Sequence, residues 1–246
     1  LGLSFVIGII LARLLTPREF GLVGMTTIFI AISQSFIDSG FTQALIRKQN
    51  CTQTDYSTVF FFNLAVGIFF FILLLITAPL ISIFFNEPQL TLLVQVLAIG
   101  LIINALTIVQ RARLTKEINF KLQTKISIIA TIVSGGIGIW MAYSGYGVWA
   151  LVTKTLTGFA FTSLMLWIWN KWKPTYVFSK ESFNEMFSFG SKLLASGLID
   201  TTYRNVYLLI IGKFFSATEL GYYTRADQFK NLPSQNILGV IQRVSY

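Results

Sequence analysis

No histidine occurs among the 246 residues, and Cys51 is the only cysteine. Those two shortages together remove Ser-His-Asp triads, Cys-His nucleophile pairs, clustered zinc ligands and intrachain disulfides. Cys51 itself, alone in a polar connection, reads as an inert thiol rather than a reactive one. Charge is scarce as well: Asp, Glu, Lys and Arg make up 12% of the chain, about half the share of an ordinary soluble domain. Alternation of apolar and polar residues over ten-residue stretches is missing, which argues against a transmembrane β-barrel. No G-x-x-x-x-G-K-[ST] sequence is there to cradle a nucleotide phosphate. This inventory assigns no catalytic residue, no metal and no cofactor, and the chain is not read as an enzyme.

What is present is apolar residue in long runs. The hydrophobic fraction is 54% and the mean hydropathy +0.68. The stretches enclosed by Asp55 and Glu87, and by Glu87 and Arg111, carry no charge, and each exceeds the roughly 20 residues a helix needs to cross hydrocarbon. With barrels disfavoured, the fold class is all-α, a polytopic helical membrane protein. Hydropathy and turn residues predict helices at Leu1–Leu15, Phe20–Ile37, Tyr56–Phe85 with a bend at Pro79, Leu90–Val109, Ile126–Tyr143, Val148–Trp169 and Phe189–Gly212. An eighth starts near Leu220 and carries Pro233, whose missing amide predicts a kink. A Ser144-Gly145-Tyr146-Gly147 hairpin joins the fifth and sixth. The first segment is short for a span and begins with Leu rather than Met, so the chain is expected to be an N-terminal fragment.

Thr16-Pro17-Arg18-Glu19-Phe20-Gly21 is echoed 200 residues later by Ser216-Ala217-Thr218-Glu219-Leu220-Gly221. Each reads as a capping box, a Ser or Thr hydroxyl and a Glu three residues on satisfying the free amides of a helix start. Each follows an apolar stretch and one cation, Arg13 or Lys213. Six predicted helices separate the boxes, an even number. A second copy would therefore enter the membrane in the same direction as the first, related by an axis along the membrane normal. The expected organisation is a six-helix lobe at 1–169, a cytoplasmic connection at 170–188, and the first two helices of a second, parallel-repeat lobe at 189–246.

Orientation follows from the connections. Arg47, Lys48, Arg111, Arg113, Lys116, Lys121, Lys125, Lys171, Lys173 and Lys180 fall in the even-numbered ones, against only Arg13, Arg18 and Lys213 in the odd. The even connections and the N-terminus are thus expected in the cytoplasm. This asymmetry accounts for much of the net charge of +9, so no nucleic-acid partner follows from the basic isoelectric point. Trp140, Trp149, Trp167, Trp169 and Trp172 fall near helix ends, as interfacial anchors do.

Charges inside the spans are the candidate site. Asp200 and Arg204 stand one turn apart, about 17 and 23 Å along their helix from Phe189. They are read either as an ion pair that fixes packing or as a site. Lys154 stands about 9 Å inside its helix, close enough for its stem to snorkel outward. Lys192 is placed near the cytoplasmic interface. Arg225, with Asp227 and Lys230, crowds the first turns of the eighth helix, and Asp38 closes the second. Arg204, Lys154, Lys192 and Arg225 are the candidate substrate cations, suited to an anionic head group. Asp200 and Asp38 are the candidates for ion coupling or pairing.

A series of stretches resembles a known family. They are Ala12-Arg13-Leu14-Leu15-Thr16-Pro17 with Glu19-Phe20-Gly21-Leu22, Ser39-Gly40-Phe41 with Ala44-Leu45-Ile46, and Ser57-Thr58-Val59-Phe60 with Asn63. Further along come Gly145 to Leu151, Phe187-Ser188-Phe189-Gly190, Ile210-Ile211-Gly212-Lys213, Leu220-Gly221-Tyr222-Tyr223 with Arg225-Ala226, and Asn231-Leu232-Pro233. In their order and spacing they resemble the polysaccharide-biosynthesis exporters of the O-antigen and teichuronic or colanic acid flippase type. Those exporters belong to the multidrug/oligosaccharidyl-lipid/polysaccharide exporter superfamily. The resemblance implies two six-helix lobes in the bacterial cytoplasmic membrane that flip an undecaprenyl-diphosphate-linked oligosaccharide by alternating access. Its partners would be that lipid-linked oligosaccharide, membrane lipids and the polysaccharide polymerase machinery. It implies no specific site residue; those above rest on charge and depth.

Two rival readings remain open at this point. One is a multidrug exporter or peptidoglycan-precursor flippase of the same superfamily, against which the inward positive charge argues when the cargo is cationic. The other is a membrane glycosyltransferase or polymerase acting on the same lipid carrier. Such enzymes display catalytic groups on substantial external loops, whereas the connections at 86–89 and 144–147 are about four residues each, near the minimum for joining two helices.

Overall fold

A computed structural model describes the backbone of residues 2–244 and the side chains of residues 2–230. In chain order the helices are α1 (Gly2–Leu14), α2 (Pro17–Asp38), α3 (Phe41–Arg47), α4 (Gln53–Phe85), α5 (Leu90–Lys116), α6 (Phe120–Tyr143), α7 (Val148–Trp169), α8 (Lys180–Phe214) and α9 (Ala217–Val244). No strand occurs among the described residues. Five segments are long and apolar enough to span a bilayer: Pro17–Arg47, α4, α5, α6 and α7. The protein is a polytopic helical membrane protein.

The helix boundaries show where chemistry outweighs hydropathy. Helix α5 continues past Val109 to Lys116, carrying Arg111 and Arg113 inside it, because Arg and Lys are good helix formers and suit the C-terminal end of the dipole. Helix α8 begins nine residues before Phe189, at Lys180, where the Ser179 hydroxyl accepts from the Ser182 amide at 3.2 Å. Hydropathy gave no sign of α3. Ser39 and Gly40 both adopt left-handed backbone, φ 47° and 69°, which stops α2 and allows a seven-residue helix to follow. Helix α4 runs through Pro79 as a single element. Helix α9 likewise continues past Pro233 to Val244 as a single element.

Antiparallel pairs build the bundle, α4 against α5 and α6 against α7, with α7 also packed on α5 and α1 on α6. A buried apolar core of Leu22, Met25 and Ile37 with Leu74, Leu93, Val94 and Leu101 joins α2, α4 and α5. The opposite face of α4 is bare: Ile76 and Ile83 are 69% and 70% exposed, as a lipid-facing surface requires. Arg18 pairs with Glu87 at 2.8 Å, and Glu19 lies against Gly147. The connections at 15–16, 86–89 and 144–147 therefore share one end. At the other end the segment 170–179 lies across α4 and α5: Trp172 Nε1 donates to Gln53 at 2.7 Å, and Gln110 donates to the Trp172 carbonyl at 3.2 Å.

The two capping boxes meet in space. In the second, Ser216 N donates to Glu219 at 2.8 Å and Glu219 N donates to the Ser216 hydroxyl at 3.2 Å; in the first, Thr16 N donates to Glu19 at 2.6 Å. The helices they start, α2 and α9, cross so closely that a Cβ on Gly21 would stand 1.7 Å from the Ala217 carbonyl oxygen. A Cβ on Gly221 would stand 1.8 Å from that of Pro17. With the 200-residue offset, these two contacts exchange under a two-fold rotation. Gly24 faces Thr224, its own counterpart, as residues on such an axis do.

Candidate functional site

Polar residues in these apolar helices recur at three- and four-residue spacing, which places them on one helix face. On α2 they are Gln34, Ser35 and Asp38, on α5 Asn104 and Arg111, and on α8 Thr201, Arg204 and Asn205. These faces converge on a cavity of about 500 Å³. On α6 the stripe is Gln123, Ser127, Thr131 and Ser134; on α7 it is Lys154, Thr155 and Thr162. With Arg111 they line a second groove, of about 450 Å³. Helix α7 packs on both α5 and α6, which touch each other little, so α7 floors the groove. Arg111 stands in the lining of both spaces and joins them.

Charge is not balanced in this region. Arg204 is satisfied by Asp200, Nε to Oδ1 at 2.8 Å, in an open one-turn ion pair. Asp38 accepts from the Thr42 amide at 3.3 Å and the Thr42 hydroxyl at 2.6 Å, across the break between α2 and α3. Ser35 and Thr201 hydroxyls meet at 3.0 Å, a direct α2–α8 link. Arg111 and Lys154, by contrast, have neither a hydrogen bond nor an ion pair among the described residues. The Lys154 stem lies over Gly138, where a Cβ would come within 2.9 Å of its own. That contact holds the side chain against α6 within the groove. Arg111 sits about 8 Å from the end of α5 and Lys154 about 9 Å from the start of α7. Those termini belong to opposite ends of the bundle, so the two cations are staggered along its long axis.

Of the residues singled out from sequence, Arg204, Asp38 and Lys154 line these two spaces, and Asp200 pairs with Arg204 beside them. Lys192 lies apart, in a pocket between α3 and α8 with Arg47 and Lys48. Arg225 also lies apart: its guanidinium sits 3.4 Å from the centroid of the Phe20 ring, and its buried Nε has no hydrogen-bond partner among the described residues. Arg111 lies beyond the predicted helix, whose apolar run ends at Val109, so hydropathy alone places it in a connection. The signal that would have found it is the Asn104–Arg111 spacing, which continues the polar face of α5 by two turns.

Outside the spans, Lys48 donates to Glu185 at 2.8 Å and to Asp55 at 3.1 Å. The Glu185 carboxylate, acting against burial and helped by Asp55, holds the Lys48 ammonium above its ordinary pKa of 10.5. This pairing links the α3–α4 connection to the first turns of α8.

Residues 10–246 match the family model described as polysaccharide biosynthesis protein. The chain is 31% identical to the teichuronic acid biosynthesis protein TuaB of Bacillus subtilis (strain 168), over 96% of this chain and 50% of that protein. It is 23% identical to the succinoglycan biosynthesis transport protein ExoT of Rhizobium meliloti (strain 1021), over 100% and 50%. It is 24% identical to the lipopolysaccharide biosynthesis protein WzxC of Escherichia coli (strain K12), again over 100% and 50%. The chain thus spans about half the length of these curated relatives. Its fold is that of a multidrug resistance MATE family transporter of the MOP superfamily, solved in an inward-facing conformation. The TM-score is 0.67 at 18% identity, covering 96% of this chain and 59% of that one.

Proposed function

The chain belongs to the polysaccharide biosynthesis protein family, and from that premise we propose that it forms part of a transporter that flips lipid-linked oligosaccharide across the bacterial cytoplasmic membrane. The cargo hangs on an undecaprenyl diphosphate carrier and moves from the cytoplasmic to the periplasmic leaflet by alternating access of two lobes. In this reading residues 1–169 are the first lobe, 170–188 the connection, and 189–246 the start of the second; the N-terminus is cytoplasmic. The surface-polysaccharide polymerase is the downstream partner, and no residue of this chain is catalytic.

The observation that carries this reading is the pair of uncompensated cations, Arg111 and Lys154, in a polar space bordered by α8. A cation without a counter-charge in a polar cavity between apolar helices favours an anionic ligand. Arg and Lys bind phosphate oxygens through charge-assisted hydrogen bonds. Their stagger gives a diphosphate two successive holding points, while the Ser and Thr hydroxyls of α6 and α7 suit sugar hydroxyls. A cationic drug would meet repulsion here.

The test is movement of labelled undecaprenyl-diphosphate oligosaccharide between leaflets of vesicles holding the full-length protein. Each cation makes a charged hydrogen bond worth roughly 1.5–3 kcal/mol. Arg111→Ala and Lys154→Ala are each expected to slow transport about tenfold to a hundredfold, with Arg225→Ala changing it least. Wild-type rates in both cavity variants would sink the reading.

A further inference from the structure

The pocket between α3 and α8 is not part of the cavity described above. It measures about 390 Å³ and is lined by Arg47, Lys48, Glu185, Phe189 and Lys192, with the buried apolar side chains of Ala44 and Met186. Its charges divide into two sets. Lys48 is fully engaged, bonded to Glu185 at 2.8 Å and to Asp55 at 3.1 Å, so the single acid in the lining already has a cation partner. Arg47 has no carboxylate partner; its guanidinium lies 4.5 Å from the centroid of the Phe189 ring. Lys192 has neither a hydrogen bond nor an ion pair among the described residues. Two cations of the lining therefore have no carboxylate partner of their own among the described residues, and the lining keeps a net positive charge even with Asp55, which shares Lys48 with Glu185.

The position of the pocket narrows the ligand. It lies at the end of the bundle where the basic connections gather. Helix α8 has 35 residues, about 52 Å of helix, against about 30 Å of hydrocarbon. Its first turns therefore extend through head-group depth. Apolar side chains in the same lining as two cations suit a phosphate that carries a hydrocarbon chain, since free phosphate gains nothing from apolar walls.

We propose that Arg47 and Lys192 hold the phosphate of a membrane lipid between α3 and α8. Arg47 belongs to the first lobe and Lys192 to the helix that leads into the second. A phosphate shared by them is a tether between the lobes at this end, and its occupancy biases how far they part. The chemistry is the same for a resident anionic phospholipid and for the phosphate of a polyprenyl carrier. Only the second source rests on the transport reading.

The experiment is lipid binding by the full-length protein in phosphatidylcholine nanodiscs, followed by native mass spectrometry. One arm is titrated with phosphatidylglycerol, the other with undecaprenyl phosphate. Lys192→Gln removes an exposed, unpaired charge without touching packing, and is expected to weaken binding several-fold. The Arg47→Ala/Lys192→Ala double variant is expected to weaken it tenfold or more, and Arg47→Lys/Lys192→Arg to restore most of it. Loss in the phosphatidylglycerol arm alone assigns a resident lipid, and loss in the carrier arm alone assigns the carrier. Loss in both arms assigns a site for either. Unchanged binding of both probes by Lys192→Gln and by the double variant overturns the proposal. Arg111→Ala separates the two readings: it leaves phosphatidylglycerol binding intact, and a loss confined to its carrier arm reports the transport cavity and not this pocket, so failure of one reading is distinguishable from failure of the other.

Discussion

Helix α2 meets the second half of the chain at both of its ends, and the two meetings differ in kind. At its start, Gly21 and Gly221 let α2 and α9 cross backbone against backbone, in a setting of Leu22, Met25 and Leu220. At its finish, Gly40 and Gly190 also touch closely: a Cβ on either would stand 2.6 Å from a carbonyl oxygen of the other segment. This second contact is surrounded by the Lys48–Glu185 pair, Arg47 over Phe189, and the rings of Phe41, Phe183 and Phe187. The first meeting is a steric interlock with two-fold symmetry, flanked by the contact of the Arg225 guanidinium with the Phe20 ring. The second is a mixed surface beside two cavities. An interlock is either closed or broken, whereas charges and stacked rings separate in steps and respond to salt, pH and ligands. Under the alternating access proposed above, the charged end is the one that opens first.

The sharpest way to break this comparison is to put a methyl group at the interlock. A Cβ at 1.7–1.8 Å from backbone oxygen cannot be met by a rotamer change, so α2 and α9 must part. Gly21→Ala and Gly221→Ala are each expected to cost several kcal/mol, above the usual ~1–3 kcal/mol of overpacking. The two-fold relation makes their costs similar. Gly136→Ala, where nothing lies within 4 Å, is the matched control and should be neutral or stabilise by roughly 0.5–1 kcal/mol. Melting of the purified full-length protein measures all three. If Gly21→Ala melts like Gly136→Ala, the crossing is not as close as described.

The next test probes the charged end. Asp55 is 1% exposed; it accepts the Thr52 amide at 2.8 Å at the start of α4 and pairs with Lys48. Asp55→Asn weakens a helix cap and a buried pair together, expected to cost about 1–3 kcal/mol. The loss should stay local, loosening α3 and the first turns of α8 while leaving α9 protected. Hydrogen exchange resolves this. Equal loss of protection at α9 would show that the two ends are not separable.

How much of this was legible in the sequence follows from what each feature depends on. Helices α4 to α7 were readable because apolar runs of that length, interrupted within the predicted spans only by Lys154, have few alternatives. The boxes at Thr16 and Ser216 were readable as helix starts, because capping is local chemistry. That they touch was not, since a repeat gives equivalence and not contact. Residue Arg111 was missed because a charge was taken as the end of a span, although a helix can carry a cation onward where its face lines a wet cavity. The short α3 was hidden by its dependence on left-handed Ser39 and Gly40, a backbone choice that apolar patterning does not report. Lys154 and Arg204 were legible as costly charges, but their difference was not. One has a partner one turn away and the other has none among the described residues.

The smallest expected effect isolates the ion pair that closes the charged end. Lys48 is partly exposed and Glu185 more so, so the link is worth on the order of 0.2–1 kcal/mol. A double-mutant cycle of Lys48→Met and Glu185→Gln should return a coupling of that size, and about half a molar salt should shrink it. Its pH dependence has a definite sign. Because Glu185, with Asp55, raises the Lys48 pKa above 10.5 in the folded protein, the folded state holds this proton more tightly than the unfolded chain does. The contribution is complete below the ordinary lysine pKa and disappears as pH climbs through the raised value. Wild type should therefore melt above Lys48→Met at pH 9, and the two melting curves should converge as pH rises beyond about 10.5. The Gly21→Ala deficit should be unmoved over the same range, since the clash with backbone oxygen is steric. A wild-type advantage over Lys48→Met that persists undiminished above that pH would mean the ammonium is not what holds α3 to α8.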